Sequence, residues 1–158
     1  MTQIPDNSGF PILDTAVITL TFPCVAEYVS IARLAILGIA SRLPLSYDEV
    51  EDVRLAVGEA CTHAVERSSR APGRAPTNAG HGSISIESRL QVSLLTIEVV
   101  DDIPSLPPGV EDSFDDDDTD LDRSGLGALL MEILVDSVKI ESGPTGTSVR
   151  LTKRPTAI

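Results

Sequence analysis

One stretch constrains the fold more than any other. From Asp48 to Arg67, Val50, Val53, Val57, Ala60, Cys61 and Ala64 recur at helical spacing and make a single apolar stripe. Glu59, His63 and Glu66 fall along a neighbouring face, because residues three and four apart are neighbours on a helix. Ser46 reads as the N-cap. Asp48, Glu49, Glu51 and Asp52 place negative charge near the free N–H groups of the first turn, and Arg67 and Arg70 sit at the other end, as the helix dipole prefers. The spacing predicts an amphipathic helix that must bury its stripe and carries a polar cluster beside it. In isolation such a cluster is a solvated face, so other segments decide its meaning.

A chain of 158 residues supplies one core of ordinary size, and with aromatic residues at 3% and no Trp that core is built from Leu, Ile, Val and Ala. The formal net charge is -12, but eight of the 24 acids lie between Glu111 and Asp122, and without that stretch the balance is about -4. The chain has no basic footprint for a phosphate backbone, which argues against direct nucleic-acid binding and for a protein partner. Cys24 and Cys61 read as reduced core residues. The first 15 residues include Asp6 and Asp14 and lack a basic start with an apolar run, so a cytoplasmic location is expected.

In order, residues 1–14 are rich in Pro, Gly, Asn and Ser and read as a flexible arm ahead of a single domain over 15–154. Thr15 to Phe22 alternates as a strand that Pro23 ends. Val25 to Leu43 is apolar nearly all round, yet Glu27, Arg33 and Arg42 leave it short of a membrane span, so a buried or subunit-contacting helix is expected. After the organising helix, Ser68 to Gly82 is a connecting loop, and Ser83–Leu90 and Val92–Val100 form an antiparallel hairpin ending at Asp101 and Asp102. Residues 103–123 hold the acidic run and read as a mobile, lid-like segment. Ser124-Gly125-Leu126-Gly127 opens a helix over Ala128 to Val135, and Val138–Glu141 and Thr147–Lys153 close the chain as a second hairpin. Helices set against a mainly antiparallel sheet give an α+β two-layer sandwich.

Three features combine into a nucleotide site: Glu59 and His63 on a helix, an aspartate at a strand end, and a Gly-x-Gly turn opening a helix. Free N–H groups at a helix start hold phosphate, glycine lets the backbone approach, and a buried carboxylate can accept from an adenine amino group. Here the sequence resembles the anti-sigma-factor serine/threonine kinases, small bacterial members of the GHKL (histidine-kinase-like) ATPase superfamily, from about Thr15 to Arg154. Leu55 to Val65 is similar to the family's N-box helix, Glu98 to Ser105 stands in the place of its Asp-x-Gly-x-Gly box, Gly125 to Asp136 is similar to its second glycine box, and Gly146 to Val149 resembles the last.

The resemblance implies a Bergerat sandwich that binds ATP and Mg2+. It makes Glu59 the general base toward a serine or threonine of an anti-anti-sigma partner, Asp101 the adenine contact, Gly125, Leu126 and Gly127 the phosphate cradle, and Thr147 a further adenine contact. His63 stands at the family's Asn position, the magnesium and nucleotide contact, and residues 103–123 stand for the lid. Partners would be a sigma factor and its antagonist, the role transcription regulation in a stress response, and the assembly a homodimer. Three departures oppose Mg-ATP. Imidazole is a poor ligand for a hard cation, Ile103 and Ser105 replace the glycines of the first box, and the acidic run repels a polyanion. The second reading is therefore a non-catalytic docking module on the same fold, and a third is a metal site in which Glu66 joins Glu59 and His63.

Overall fold

The computed structural model describes residues 15–70, 82–104 and 119–156, the side chains of 70 and 119–124 excepted. The expected arm over 1–14, most of the 68–82 loop with His81, and most of the 103–123 segment with Ser105 lie outside the described residues. Strands β1 (Ala16–Pro23), β2 (Ser83–Gln91), β3 (Leu94–Asp101), β4 (Ser137–Gly143) and β5 (Gly146–Lys153) and helices α1 (Val29–Ala40), α2 (Tyr47–Arg70) and α3 (Thr119–Leu134) follow the expected order.

All strand pairs are antiparallel, in the order β1-β2-β3-β5-β4. Two tight hairpins, β2–β3 and β4–β5, are joined along β3 and β5, and β1 completes one edge. The alternation seen in the sequence separates the faces. Ile84, Ile86, Leu95, Ile97, Val99, Val149 and Leu151 are buried under the helices, and Ser88 is buried with them as its spacing required. The opposite face is polar: Arg150 Nη2 lies 3.2 Å from Glu98 Oε2, and Ser148 Oγ donates to Glu98 Oε1 at 3.0 Å. This is the α+β two-layer sandwich expected from the element order.

Helix α2 is the hub, packing against β3 and β5 and against both other helices. Val50, Val53, Val57, Ala60, Cys61 and Ala64, the stripe read from the sequence, are all buried. Ser46 caps the helix as expected and does so reciprocally: Glu49 N donates to Ser46 Oγ at 3.1 Å and Ser46 N donates to Glu49 Oε2 at 2.7 Å. Lys153 Nζ at the end of β5 donates to Leu134 O at 3.0 Å, placing a cation on the last carbonyls of α3.

Several boundaries differ from expectation, and α2 itself runs on through Ser68 to Arg70, residues assigned to the connecting loop. The helix expected over 25–43 starts with a separate 3-10 turn, Ala26–Tyr28, and ends at Ala40, where the Ser41 hydroxyl donates to Leu37 O at 2.5 Å. Helix α3 begins at Thr119, so Gly125-Leu126-Gly127 lies inside it rather than opening it. Glycine within a helix costs about 1 kcal/mol against alanine, and here it permits the close approach of α3 to α2 described below. Among the described residues no helix is long and apolar enough to cross a membrane.

Candidate functional site

Glu59, His63 and Arg67 follow one another at four-residue intervals and form one row along α2. His63 Nε2 lies 3.4 Å from Glu59 Oε1, and both side chains keep part of their surface in solvent. Gly127 of α3 faces this pair. A methyl group built there would fall on the His63 imidazole and within 2.8 Å of Glu59 Oε1, so the bare backbone is what lets the two helices meet at this point.

The far end of the row meets the end of β3. Asp101 is 5% exposed, and Arg67 grips it with both arms: Nη2 donates to Oδ2 at 2.5 Å and Nη1 to Oδ1 at 3.3 Å. Oδ1 also accepts from Ile103 N at 3.0 Å and from Thr147 N at 3.3 Å. Thr147 is buried opposite Asp101 in the β3–β5 ladder, and its hydroxyl lies 3.2 Å from Ser142 Oγ. Ile103 is fully buried at the place where a glycine would leave room. Gly146 has φ +143 and lies against the Asp101 carbonyl, where an added methyl would collide with it. Asp102 turns away and accepts from Ser83 N at 2.8 Å.

Of the residues singled out in the sequence, the structure therefore unites Glu59, His63 and Gly127 at one end and Asp101 and Thr147 at the other. A methyl built at Gly125 would meet nothing within 4 Å and Leu126 is 63% exposed, so neither is packed as Gly127 is. Arg67 was read only as a favourable charge at a helix end; its four-residue spacing from His63 is the signal that would have placed it in the site. Burial pushes the Cys24 thiol up to about 11, with the nearby Asp101 charge adding to it, and pushes Cys61 up to about 12. Both remain protonated core residues. Among the described residues, no three His, Cys, Asp or Glu side chains come together to hold a metal.

The sequence model of the histidine kinase-like ATPase domain matches residues 22–153. The serine-protein kinase RsbW of Bacillus velezensis is 34% identical over 150 residues, covering 86% of this chain and 84% of its own. The chain belongs to the RsbW family of histidine kinase-like ATPase domains. The RsbW proteins of Bacillus subtilis and of Listeria monocytogenes serotype 4b (strain F2365) are 33% and 34% identical, covering 86% of this chain and 84% and 85% of theirs. The RsbU and RsbW domains of a Mycobacterium tuberculosis protein, solved as a crystal structure, superpose with a TM-score of 0.62 at 18% identity, over 88% of this chain and 32% of that longer one. The fold is shared with this RsbW-containing structure, as the resemblance implied.

For an RsbW-family chain the side chains present fit the family's small molecules unevenly. A hard cation requires oxygen ligands, and the position expected to supply one carries the imidazole of His63, so the residues do not fit magnesium there. The carboxylate expected to accept from adenine already takes two donors from Arg67 and two from the backbone. At the other end Glu59 keeps part of its carboxylate in solvent, with α3 packed close against it at Gly127.

Proposed function

We propose that this protein is a bacterial anti-sigma serine/threonine kinase: it docks a sigma factor, binds ATP, and phosphorylates a serine or threonine of an anti-anti-sigma partner. One observation carries the reading. The Glu59 carboxylate stays partly exposed beside Gly127, where α2 and α3 meet, and so remains open to the hydroxyl of a partner. A carboxylate there can take the proton of that hydroxyl as its oxygen attacks phosphorus. The relatives named serine-protein kinase support it.

In this reading Asp101 and Thr147 lie at the base end, Gly125, Leu126 and Gly127 at the phosphate end, and the part of 103–123 that precedes α3 serves as the lid of a single domain over 15–154. Magnesium accompanies the triphosphate as its counter-ion, without His63 as a ligand. The protein acts in the cytoplasm as a homodimer, for which the exposed Tyr28, Ile31 and Leu34 of α1 and its approach supply apolar surface.

The test is phosphotransfer from labelled ATP to a candidate antagonist domain. The natural protein transfers label, and Glu59→Gln loses at least about 100-fold in rate while still capturing the antagonist. Bound ATP without transfer from the natural protein would sink the kinase reading. It would leave the alternative that the Arg67–Asp101 pair and His63 favour, a module that docks the same partners with weak or no nucleotide chemistry.

A further inference from the structure

Helix α3 is apolar on two sides. Gly127 and Met131 are buried on the side that packs against α2. Leu126, Leu129, Leu130 and Ile133 follow the i, i+3, i+4, i+7 spacing that gathers residues on one face of a helix, and all four are exposed, Leu129 at 52% and Ile133 at 72%. A helix that is apolar nearly all round is ordinarily covered on every side. Ile140 adds to this surface. It is exposed on β4, the edge strand that follows α3 and packs against it, and its pairing with Val149 sets it on the helix-bearing face of the sheet. Single exposed apolar residues need no explanation, but five on one helix and the strand beside it do.

Charge narrows what can cover it. From Thr119 to Gly143 the chain carries five acids, Asp120, Asp122, Glu132, Asp136 and Glu141, against two bases, Arg123 and Lys139. Lys139 lies 3.0 Å from Glu141, and Lys153 is held by Leu134 O and lies 3.8 Å from Asp52. Even with Arg154, whose N–H donates to Asp136 at 2.5 Å, acids are in excess. The whole chain carries a net charge of -12, so a second copy brought to this face meets like charge. The chain's other stretches offer little cover: 71–81 contains no Leu, Ile, Val, Phe or Met, 105–118 contains three such residues among six acids, and 1–14 leads into β1, at the opposite edge of the sheet from β4.

We propose that the outer face of α3, with Ile140 of β4, docks a basic amphipathic helix of a partner protein. Its apolar side chains recur every three and four residues and interleave with Leu126, Leu129, Leu130 and Ile133, while Lys or Arg residues bordering them meet the acids around α3. The inference goes beyond the kinase reading and needs neither ATP nor Glu59.

The experiment is fluorescence anisotropy of labelled synthetic helices, each about 18 residues or five turns long, against the full-length protein at physiological salt. One peptide has Leu at the stated spacing and Lys elsewhere, a second has the same composition with Leu spread evenly round the helix, and a third has Glu in place of Lys. The first is expected to bind at least about tenfold tighter than either of the others. Leu129→Gln combined with Ile133→Gln, both at exposed positions, is expected to weaken it at least about tenfold, whereas Val92→Gln, equally exposed but in the β2–β3 turn, stays within about twofold of the natural protein.

Equal binding of the first and second peptides means that charge alone attracts them and overturns the inference. Equal binding of the first and third overturns the basic partner, and no binding of any peptide to the natural protein overturns the docking face altogether. A solution mass that falls when Leu129 and Ile133 are replaced would give the face to a second copy, which also overturns it. The peptide ratios on the natural protein decide the matter without any variant, so a substitution that fails to fold does not protect the inference. None of these outcomes bears on phosphotransfer, and the kinase reading stands or falls separately.

Discussion

Glu49, in the first turn of α2, accepts a hydrogen bond from Thr156 N at 2.8 Å, closing a separation of 107 residues. The Thr156 hydroxyl donates to the same Oε1. One carboxylate thus completes the helix cap with Ser46 and pins the segment that follows β5.

These donors hold the Glu49 carboxyl well below its ordinary 4.5, at about 2, the Thr156 hydroxyl contributing most and the Ser46 N–H next. An acid whose folded value is depressed adds stability that is fully present above its unfolded value and is lost as the pH falls between about 4.5 and 2. Glu49→Gln is therefore expected to be less stable than the natural protein by about 1 kcal/mol at pH 7 and to approach it as the pH drops toward 2. Urea midpoints across that range check it; a constant gap would show that the ionised carboxylate is not the source.

Gly146→Ala should be among the costliest small substitutions. At φ +143 an L side chain is strained, and its methyl would drive against the Asp101 carbonyl. A loss of about 2–3 kcal/mol is expected from denaturant unfolding, with fading of the amide signals of Asp101 and Thr147, paired across this end of the ladder.

Gly127→Ala tests the meeting of α2 and α3. Alone, alanine at a helical position gains up to about 1 kcal/mol, but here its methyl meets the His63 ring, so a net loss of about 1–2 kcal/mol is expected. In a His63→Ala background the same change should become neutral or stabilising. A double-mutant cycle reads the coupling, and additive effects would mean that the two side chains do not meet.

Ser88→Ala should cost nothing. Ser88 is 0% exposed, and its hydroxyl has no hydrogen-bond partner among the described residues. Removing a buried, unsatisfied hydroxyl is expected to raise stability by about 1 kcal/mol, visible as a higher midpoint in urea. A clear loss would reveal a partner for that oxygen.

Leu34→Asp addresses the proposed homodimer. Leu34 is 68% exposed one turn after Ile31, also exposed, and a charge there should convert dimer to monomer in light scattering at micromolar concentration, with thermal unfolding still cooperative. An unchanged mass would place any interface elsewhere.

The sheet, its two hairpins and the buried stripe of α2 were legible because each follows from a local period: alternation along Ile84, Ile86 and Ser88, and helical spacing along Val50 to Ala64. Even a serine was placed inside correctly, since register fixes the face whatever the residue. The start of α3 was not legible. A Gly-x-Gly string reads locally as a turn, and only the packing of Gly127 against His63 and Glu59 shows why the helix runs through it. In the site, Glu59, His63 and Gly127 lie together at one end, and Asp101 lies opposite Thr147 at the other. The spacing of Arg67 from His63 puts it in the same row, but its grip on Asp101, across 34 residues, and the bonds of Glu49 to Thr156 leave no local signature, because contacts between distant segments have no period.

The seam between β3 and β5 also sets an order of assembly. Each hairpin closes over a short turn, whereas the seam pairs Glu98 with Arg150 and Asp101 with Thr147, distant in sequence, and such closures are slow. β5, the last described strand in sequence, is an interior strand of the sheet. A chain still being synthesised therefore cannot bring Thr147 to Asp101 until Gly146–Lys153 has left the ribosome, and until then β3 presents an unpaired edge to its surroundings.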